Sequence, residues 1–159
     1  IDSGRAIMFG YVGIAVGDIL IGLVSQYFKS RKKALLLFYG FTLVGLIFYF
    51  SGYNNSDNSM YFIALWLGFS TGFWAIFVTM GAEQFGTNLR ATAATTIPNM
   101  VRGMLAIFIL PLFKWFEKQP TIGTIDAGIY TGIIIMVITL IAAALTRETF
   151  HKDLDYLEE

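Results

Sequence analysis

Five long apolar runs, separated by short polar segments, dominate the pattern of hydrophobic and polar positions along the chain. The runs cover Ala6–Phe28, Ala34–Gly52, Met60–Ala82, Ala91–Phe113 and Ala127–Thr146. Each run is 19 to 23 residues long, and a helix needs about 20 residues to cross a hydrocarbon core. Helices also satisfy their own backbone hydrogen bonds, which lipid cannot do. The pattern predicts an all-α, polytopic bundle of five transmembrane helices, followed by a charged tail at 147–159.

Composition supports lipid as the solvent and excludes several classes of function. Of the residues, 56% are hydrophobic and only 14% are charged, whereas soluble domains carry about 25% charge. The net charge is zero and there is no Cys, so we expect no nucleic-acid partner, disulfide or zinc site. The one His, His151, lies in the tail. No group of residues suits catalysis, a metal or a cofactor, and we expect the protein not to be an enzyme.

Lysine and arginine residues predict the orientation in the membrane. Seven of them lie in the hinge Tyr27–Lys33, in the segment after the third run and in the tail, against three on the opposite side. Cytoplasmic loops carry the excess of these residues. We therefore expect the hinge and the C-terminal tail in the cytoplasm, Ile1–Arg5 and the polar turn Tyr53–Ser59 outside, and a location in the plasma or inner membrane.

Three polar segments on the predicted cytoplasmic side carry a family resemblance. They are the hinge Gly22–Lys33, the segment Glu83–Arg90 followed by Ala91, Thr92 and Ala93, and Arg147–Thr149 with Leu154 and Leu157. In residue type and order they resemble the hinge motif of the major facilitator superfamily and its signatures after the tenth and twelfth helices. The resemblance covers essentially the whole chain and implies helices eight to twelve of that fold.

Some positions depart from these motifs. Gln26 stands where the hinge motif has an acid, and Gly86 stands where the signature after the tenth helix has Pro. The Gly-Pro-x-x-Trp pattern of the sugar porters is absent from the third run. This absence argues against a sugar substrate.

The resemblance implies a secondary active transporter that works by alternating access, with two helical halves rocking around a midplane site. Its partners would be a small polar or anionic solute, the lipid bilayer and a missing N-terminal helical half, since the chain begins with Ile1 and not Met. The implied cytoplasmic gate consists of Glu83, Arg90, Arg31, Lys32 and Lys33. The alternative is a non-transporting membrane scaffold or a receptor-like module.

Two charges inside the apolar runs mark a candidate site. Asp18 and Arg102 lie near the midpoints of their runs, where a charge costs about 3 kcal/mol on insertion scales. Arg102 shares a polar stripe with Thr95 and Asn99, and its planar fork of donors suits a carboxylate or a phosphate. Pairing with Asp18 is the alternative. For Asp18 three interpretations stay open: proton coupling, an ion pair with Arg102 or with the missing half, and a structural hydrogen bond.

The third run has two contrasting faces. Gly68, Gly72, Ala75 and Thr79 form a small face that predicts close helix packing. The opposite face carries Trp66, Ser70, Trp74 and Phe77, which suits packing, with stacking on a substrate ring as the alternative. The predicted substrate-binding set is Arg102, Asn99, Thr95, Ser70 and Trp74, with Asp18 as the coupling-ion site.

Overall fold

A computed structural model of the chain describes residues 2–52, 56–151 and the single positions 153, 155 and 157. Part of the predicted turn, Tyr53–Asn55, and the tail position Leu154 lie outside the described residues. The helices are α1 (Ser3–Phe28), α2 (Arg31–Phe50), α3 (Asp57–Thr71), α4 (Trp74–Glu83), α5 (Thr87–Glu117) and α6 (Thr124–Leu145).

The described residues confirm the all-α fold. They hold five helical spans that are long and apolar enough to cross a membrane, with α3 and α4 together forming the third span. Large apolar side chains are exposed along the outer surface of the bundle, among them Ile19, Ile107 and Ile138. Lipid is the solvent that suits such a surface, and the chain is a membrane protein.

All five spans begin three or four residues before the apolar runs, because polar residues occupy most of their first turns. Asp2 caps α1 by accepting a hydrogen bond from the Gly4 N–H at 2.9 Å. Ser30 caps α2 and Ser56 caps α3, each through its hydroxyl oxygen and the N–H three residues on. These caps satisfy N–H groups that have no partner inside the helix.

The structure differs from the predicted runs at two places in the interior of the chain. The third run is interrupted at Gly72 and Phe73, which separate α3 from α4. The fourth span continues through Pro98 as far as Glu117, and the fifth begins at Thr124, so both ends of the predicted loop 114–126 are helical. The long charged side chains at the end of α5 can reach out of the hydrocarbon region while the helix continues. The apolar run is therefore shorter than the helix.

Glycines bring α1 and α3 into direct backbone contact. A Cβ added at Gly17 would lie 2.2 Å from the carbonyl oxygen of Phe69, and one at Gly68 would lie 2.1 Å from that of Gly10. Real Cβ atoms do not approach backbone so closely, and small residues at a crossing allow this proximity. The predicted close packing of Gly68 and Gly72 is confirmed.

An aromatic core fills the space between α2 and α3. Phe38 is fully buried, and its ring centroid lies 5.3 Å from that of Phe69. The Trp66 indole N–H donates to the carbonyl oxygen of Phe41 at 2.9 Å, which satisfies a polar group that lipid would leave without a partner. At Trp66 the aromatic face of the third run therefore packs against α2.

The connection between α1 and α2 consists of only two residues, Lys29 and Ser30. Lys29 adopts the left-handed conformation with φ of 49°, and its N–H donates to the carbonyl oxygen of Gln26. Glycine is the usual residue in this conformation. The tight hinge places the end of α1 beside the start of α2, at what we call the hinge end of the bundle: residues 25–33, 83–90 and 144–150.

Candidate functional site

The hinge end contains an ion pair between two distant segments. The Arg31 guanidinium contacts both carboxylate oxygens of Glu83, with Nη2–Oε1 at 3.0 Å and Nε–Oε2 at 3.4 Å. The exposed fractions of the two side chains are 16% and 10%. Two parallel N–H···O contacts fix the relative orientation of the guanidinium and the carboxylate. The pair joins the first turn of α2 to the last residue of α4.

Side chains from two other segments complete the surroundings of this pair. The Thr149 hydroxyl donates to Oε2 of Glu83 at 2.5 Å, and Nη1 of Arg31 donates to the Ser25 hydroxyl at 3.2 Å. The guanidinium carbon lies 5.4 Å from the centre of the Phe150 ring. The buried charges therefore have hydrogen-bond partners from α1 and from the segment after α6, as buried ion pairs require.

Glu148 lies at the N-terminus of α2 and attaches the segment after α6 to it. Its carboxylate accepts the backbone N–H of Arg31 at 2.9 Å and that of Lys32 at 3.2 Å, together with the Ser30 hydroxyl. In return, the Lys32 ammonium donates to the carbonyl oxygen of Ala144 at 2.5 Å, near the C-terminus of α6. An acid at a helix N-terminus and a base at a C-terminus both complement the helix dipole. The ends of α2 and α6 thus stabilise each other.

The protonation of Glu148 should control this attachment. Partial burial by itself raises the pKa of its carboxyl group. Hydrogen bonds from the Ser30 hydroxyl and from three backbone N–H groups outweigh that effect and lower the pKa to about 2, from an ordinary value of 4.5. A lowered pKa means that the ionised form stabilises the folded state. This contribution is present above pH 4.5 and is lost as the pH falls from there towards 2.

We therefore expect the segment after α6 to detach in acid. A spin label on His151→Cys, introduced as the single Cys of the protein under test, reports the mobility of this segment alone. Mobility should rise as the pH falls below about 4.5, and Glu148→Gln should give the mobile spectrum already at pH 7. If the label is equally mobile in the protein with Glu148 and in the Glu148→Gln variant at every pH, Glu148 does not attach the segment.

The predicted gate residues are brought together in part. Arg31, Lys32 and Glu83 are joined at the hinge end as described above. Arg90 donates to the carbonyl oxygen of Phe85 at 3.4 Å and lines an open groove that Glu83 also lines. The side chain of Lys33 is exposed. Residues 84–86 separate α4 from α5, so Glu83 and Arg90 lie on different helices.

Several residues of the hinge end were not predicted as site residues. Ser25, Ser30 and Thr149 are all buried, and each hydrogen-bonds to a charged side chain. The tail segment that contains Glu148 resembled a family motif, but no contact for it followed from that resemblance. A glutamate shortly after the last span is a weak signal by itself, since most tail charges are solvated.

A second group of predicted residues meets where α4 begins. The guanidinium carbon of Arg102 lies 4.8 Å from the centre of the Trp74 ring, which places the cation over the aromatic face. One helical turn before Arg102, Asn99 donates from its amide to the carbonyl oxygen of Thr95 at 2.9 Å. That bond leaves the amide oxygen of Asn99 available as an acceptor. The arrangement offers donors and acceptors on one face of α5.

Ser70 differs from the rest of the predicted substrate-binding set. It is fully buried, and its hydroxyl donates to the carbonyl oxygen of Leu67 in the same helix at 2.9 Å. The exposed side chains of Thr95, Asn99 and Arg102 lie on α5. A contact between Ser70 and a solute stays a prediction. The burial of Ser70 within α3 does not favour it.

The two charges inside the spans have different neighbours. Oδ1 of Asp18 accepts the backbone N–H of Ala75 at 3.4 Å, whereas Arg102 lies over Trp74. Among the described residues, Asp18 and Arg102 form no ion pair with each other. The carboxylate and the guanidinium therefore approach consecutive residues at the start of α4 without neutralising one another.

Comparison with family models, with curated proteins and with solved structures finds no match to this chain. The resemblance to the major facilitator superfamily consequently depends on the three motifs alone.

Proposed function

We propose that the chain is part of a secondary active transporter that moves a small polar or anionic solute by alternating access. The observation that supports this most strongly is the group around Trp74, in which Arg102 stands over an aromatic ring inside the membrane spans. A charge within a span is costly and usually faces a partner or a water-filled cavity. Structural packing alone does not require Arg102, since α5 could be apolar at that depth.

In this proposal Arg102 binds the anionic group of the solute, and Asn99, Thr95 and Trp74 complete the binding surface. The guanidinium keeps its charge and offers planar donors to a carboxylate or a phosphate. Stacking on Trp74 holds the guanidinium in place, so less side-chain freedom is lost when the anion binds. Ser70 is buried in α3 and is the member of the predicted set that this proposal needs least.

The hinge end would act as the cytoplasmic gate. The pair between Arg31 and Glu83 is the principal contact that would open and close, with Lys32, Lys33 and Arg90 around it. We propose a plasma or inner membrane location with this end in the cytoplasm, as the distribution of Lys and Arg favours. A proton gradient would drive accumulation through Asp18, and an N-terminal helical half would form the other wall of the cavity.

Solute binding by the full-length, purified protein tests the proposal. A panel of carboxylates and phosphates, screened by thermal stabilisation in detergent, should contain at least one ligand. Arg102→Ala should weaken that ligand roughly 30-fold, because removing one partner of a hydrogen-bonded charge pair costs about 2 kcal/mol or more. Lys114→Ala is the matched control, since Lys114 is an exposed cation further along α5.

Two outcomes would count against parts of this proposal. If Arg102→Ala and Lys114→Ala have the same effect on binding, Arg102 is not a ligand for the solute. If the reconstituted protein binds the ligand but moves none of it across liposome membranes under a proton gradient, a receptor-like module is the better description.

A further inference from the structure

The break in the third span has causes that can be named. The hydroxyls of Ser70 and Thr71 both donate to the carbonyl oxygen of Leu67, at 2.9 Å and 2.6 Å. Hydroxyl groups that compete in this way for helix carbonyls bend helices. The N–H of Gly72 donates to the carbonyl oxygen of Phe69, three residues back, which tightens the last turn of α3. The helix therefore ends at Thr71 and begins again at Trp74.

A new helix start inside a membrane needs hydrogen-bond acceptors. The first N–H groups of α4 have no partner within the helix, and Phe73, which precedes it, provides no side-chain cap. Lipid provides no acceptor, and an unsatisfied N–H costs several kcal/mol there. The carboxylate of Asp18, on α1, accepts the N–H of Ala75 in the first turn of α4.

Backbone packing holds Asp18 at this place. A Cβ added at Gly72 would lie 2.4 Å from the carbonyl carbon of Gly17 and 2.5 Å from the nitrogen of Asp18. The backbone of α1 thus passes directly against the break in the third span. At 3.4 Å the contact with the Ala75 N–H is long for a hydrogen bond, but a carboxylate at the positive end of a helix dipole is stabilised without closer approach.

We propose that Asp18 is the N-cap of α4, supplied from α1, and that it positions Trp74 through this cap. Trp74 directly precedes Ala75 and carries the ring on which Arg102 lies. Asp18 therefore sets the location of the aromatic half of the binding surface without contacting the solute. The assignment of Trp74 to a solute site rests on the proposed function, whereas the cap does not.

The cap also connects two parts of the bundle. α3 packs on α1 and α2, whereas α4 has its largest interface with α5. The break at Gly72 and Phe73 lies between these two groups of helices, and Asp18 spans it from α1 to α4. Loss of the cap should therefore affect α4 while leaving α3 in place.

The experiment compares Asp18→Asn, Asp18→Ala and Asp18→Leu in the full-length protein without solute. Asparagine is as good an N-cap as aspartate but cannot carry a proton, whereas alanine and leucine provide no acceptor. Hydrogen exchange is followed in α4 and in α3, and the Trp74 fluorescence is taken as the difference from Trp74→Phe.

Asn should match the wild type in both measurements. Ala should make the first-turn amides of α4 exchange roughly fivefold faster, the ratio that corresponds to about 1 kcal/mol for a lost cap, with a shifted Trp74 emission and unchanged exchange in α3. If Ala cannot be purified, recovery of the folded protein by Asn, but not by Leu, supports the cap.

The proposal is overturned if Leu leaves the Trp74 emission and the α4 exchange as in the wild type, because the position then needs only an apolar side chain. It is also overturned if Asn behaves as Ala does. Failure of the solute-binding test at Arg102 would leave these measurements unaffected, since they are recorded without solute. The two proposals can therefore fail separately.

Discussion

Gly17→Ala should disrupt the bundle, although it adds only one methyl group. The added Cβ would lie 2.2 Å from the carbonyl oxygen of Phe69, and that atom belongs to a helix backbone that cannot rotate away. The clash can be relieved only if α1 and α3 move apart along their main contact. Overpacking of this kind costs about 1–3 kcal/mol and sometimes more. We expect a lower melting temperature in detergent and a smaller monodisperse fraction.

Gly22→Ala is the matched control for this prediction. Gly22 lies five positions later in the same helix, and a Cβ there would meet no atom within 4 Å. Alanine is also the better helix former by roughly 0.5–1 kcal/mol, so the melting temperature should stay the same or rise. Equal loss of stability in the two variants would contradict the proposed contact between α1 and α3.

Glu83→Ala should be the most destabilising single change at the hinge end. It leaves the guanidinium of Arg31 largely buried without its carboxylate, and breaking a buried pair in this way costs about 3–5 kcal/mol. It also removes the acceptor of the Thr149 hydroxyl. The melting temperature of the purified protein measures the loss.

Arg5→Ala provides the comparison, because Arg5 and Asp2 form an ion pair whose side chains are 70% and 61% exposed. Exposed pairs contribute little, so this change should leave the melting temperature nearly unaltered. The double variant Arg31→Met with Glu83→Leu should recover much of the stability although the ion pair is gone, since apolar pairs often replace buried ion pairs without loss. If Glu83→Ala is as harmless as Arg5→Ala, the pair does not hold the hinge end together.

The sequence pattern predicts the number and type of the spans correctly because length and apolarity are local properties. The break between α3 and α4 was not predictable in the same way. Gly72 resembles any small packing residue until the backbone of α1 at Gly17 is known to press against it. Asp18 is a single carboxylate in an apolar run, and its contact with Ala75 depends on that crossing.

The candidate site shows the same division between local and long-range information. Arg102 was identifiable because a charge in a span is unusual by itself, and its stripe with Asn99 follows from helix periodicity. Its contact with Trp74 combines positions from two helices, and no period in the sequence encodes it. Glu148 illustrates the limit most clearly: its partners lie at the start of α2, in a segment distant in the chain.

That distance has a consequence for biosynthesis. Ser30 and Glu148 are 118 positions apart, so the start of α2 enters the membrane long before the ribosome makes the carboxylate that completes it. Until then the backbone N–H groups of Arg31 and Lys32 must rely on water or lipid headgroups at the surface. The hinge end is thus assembled last, after α6 has been inserted.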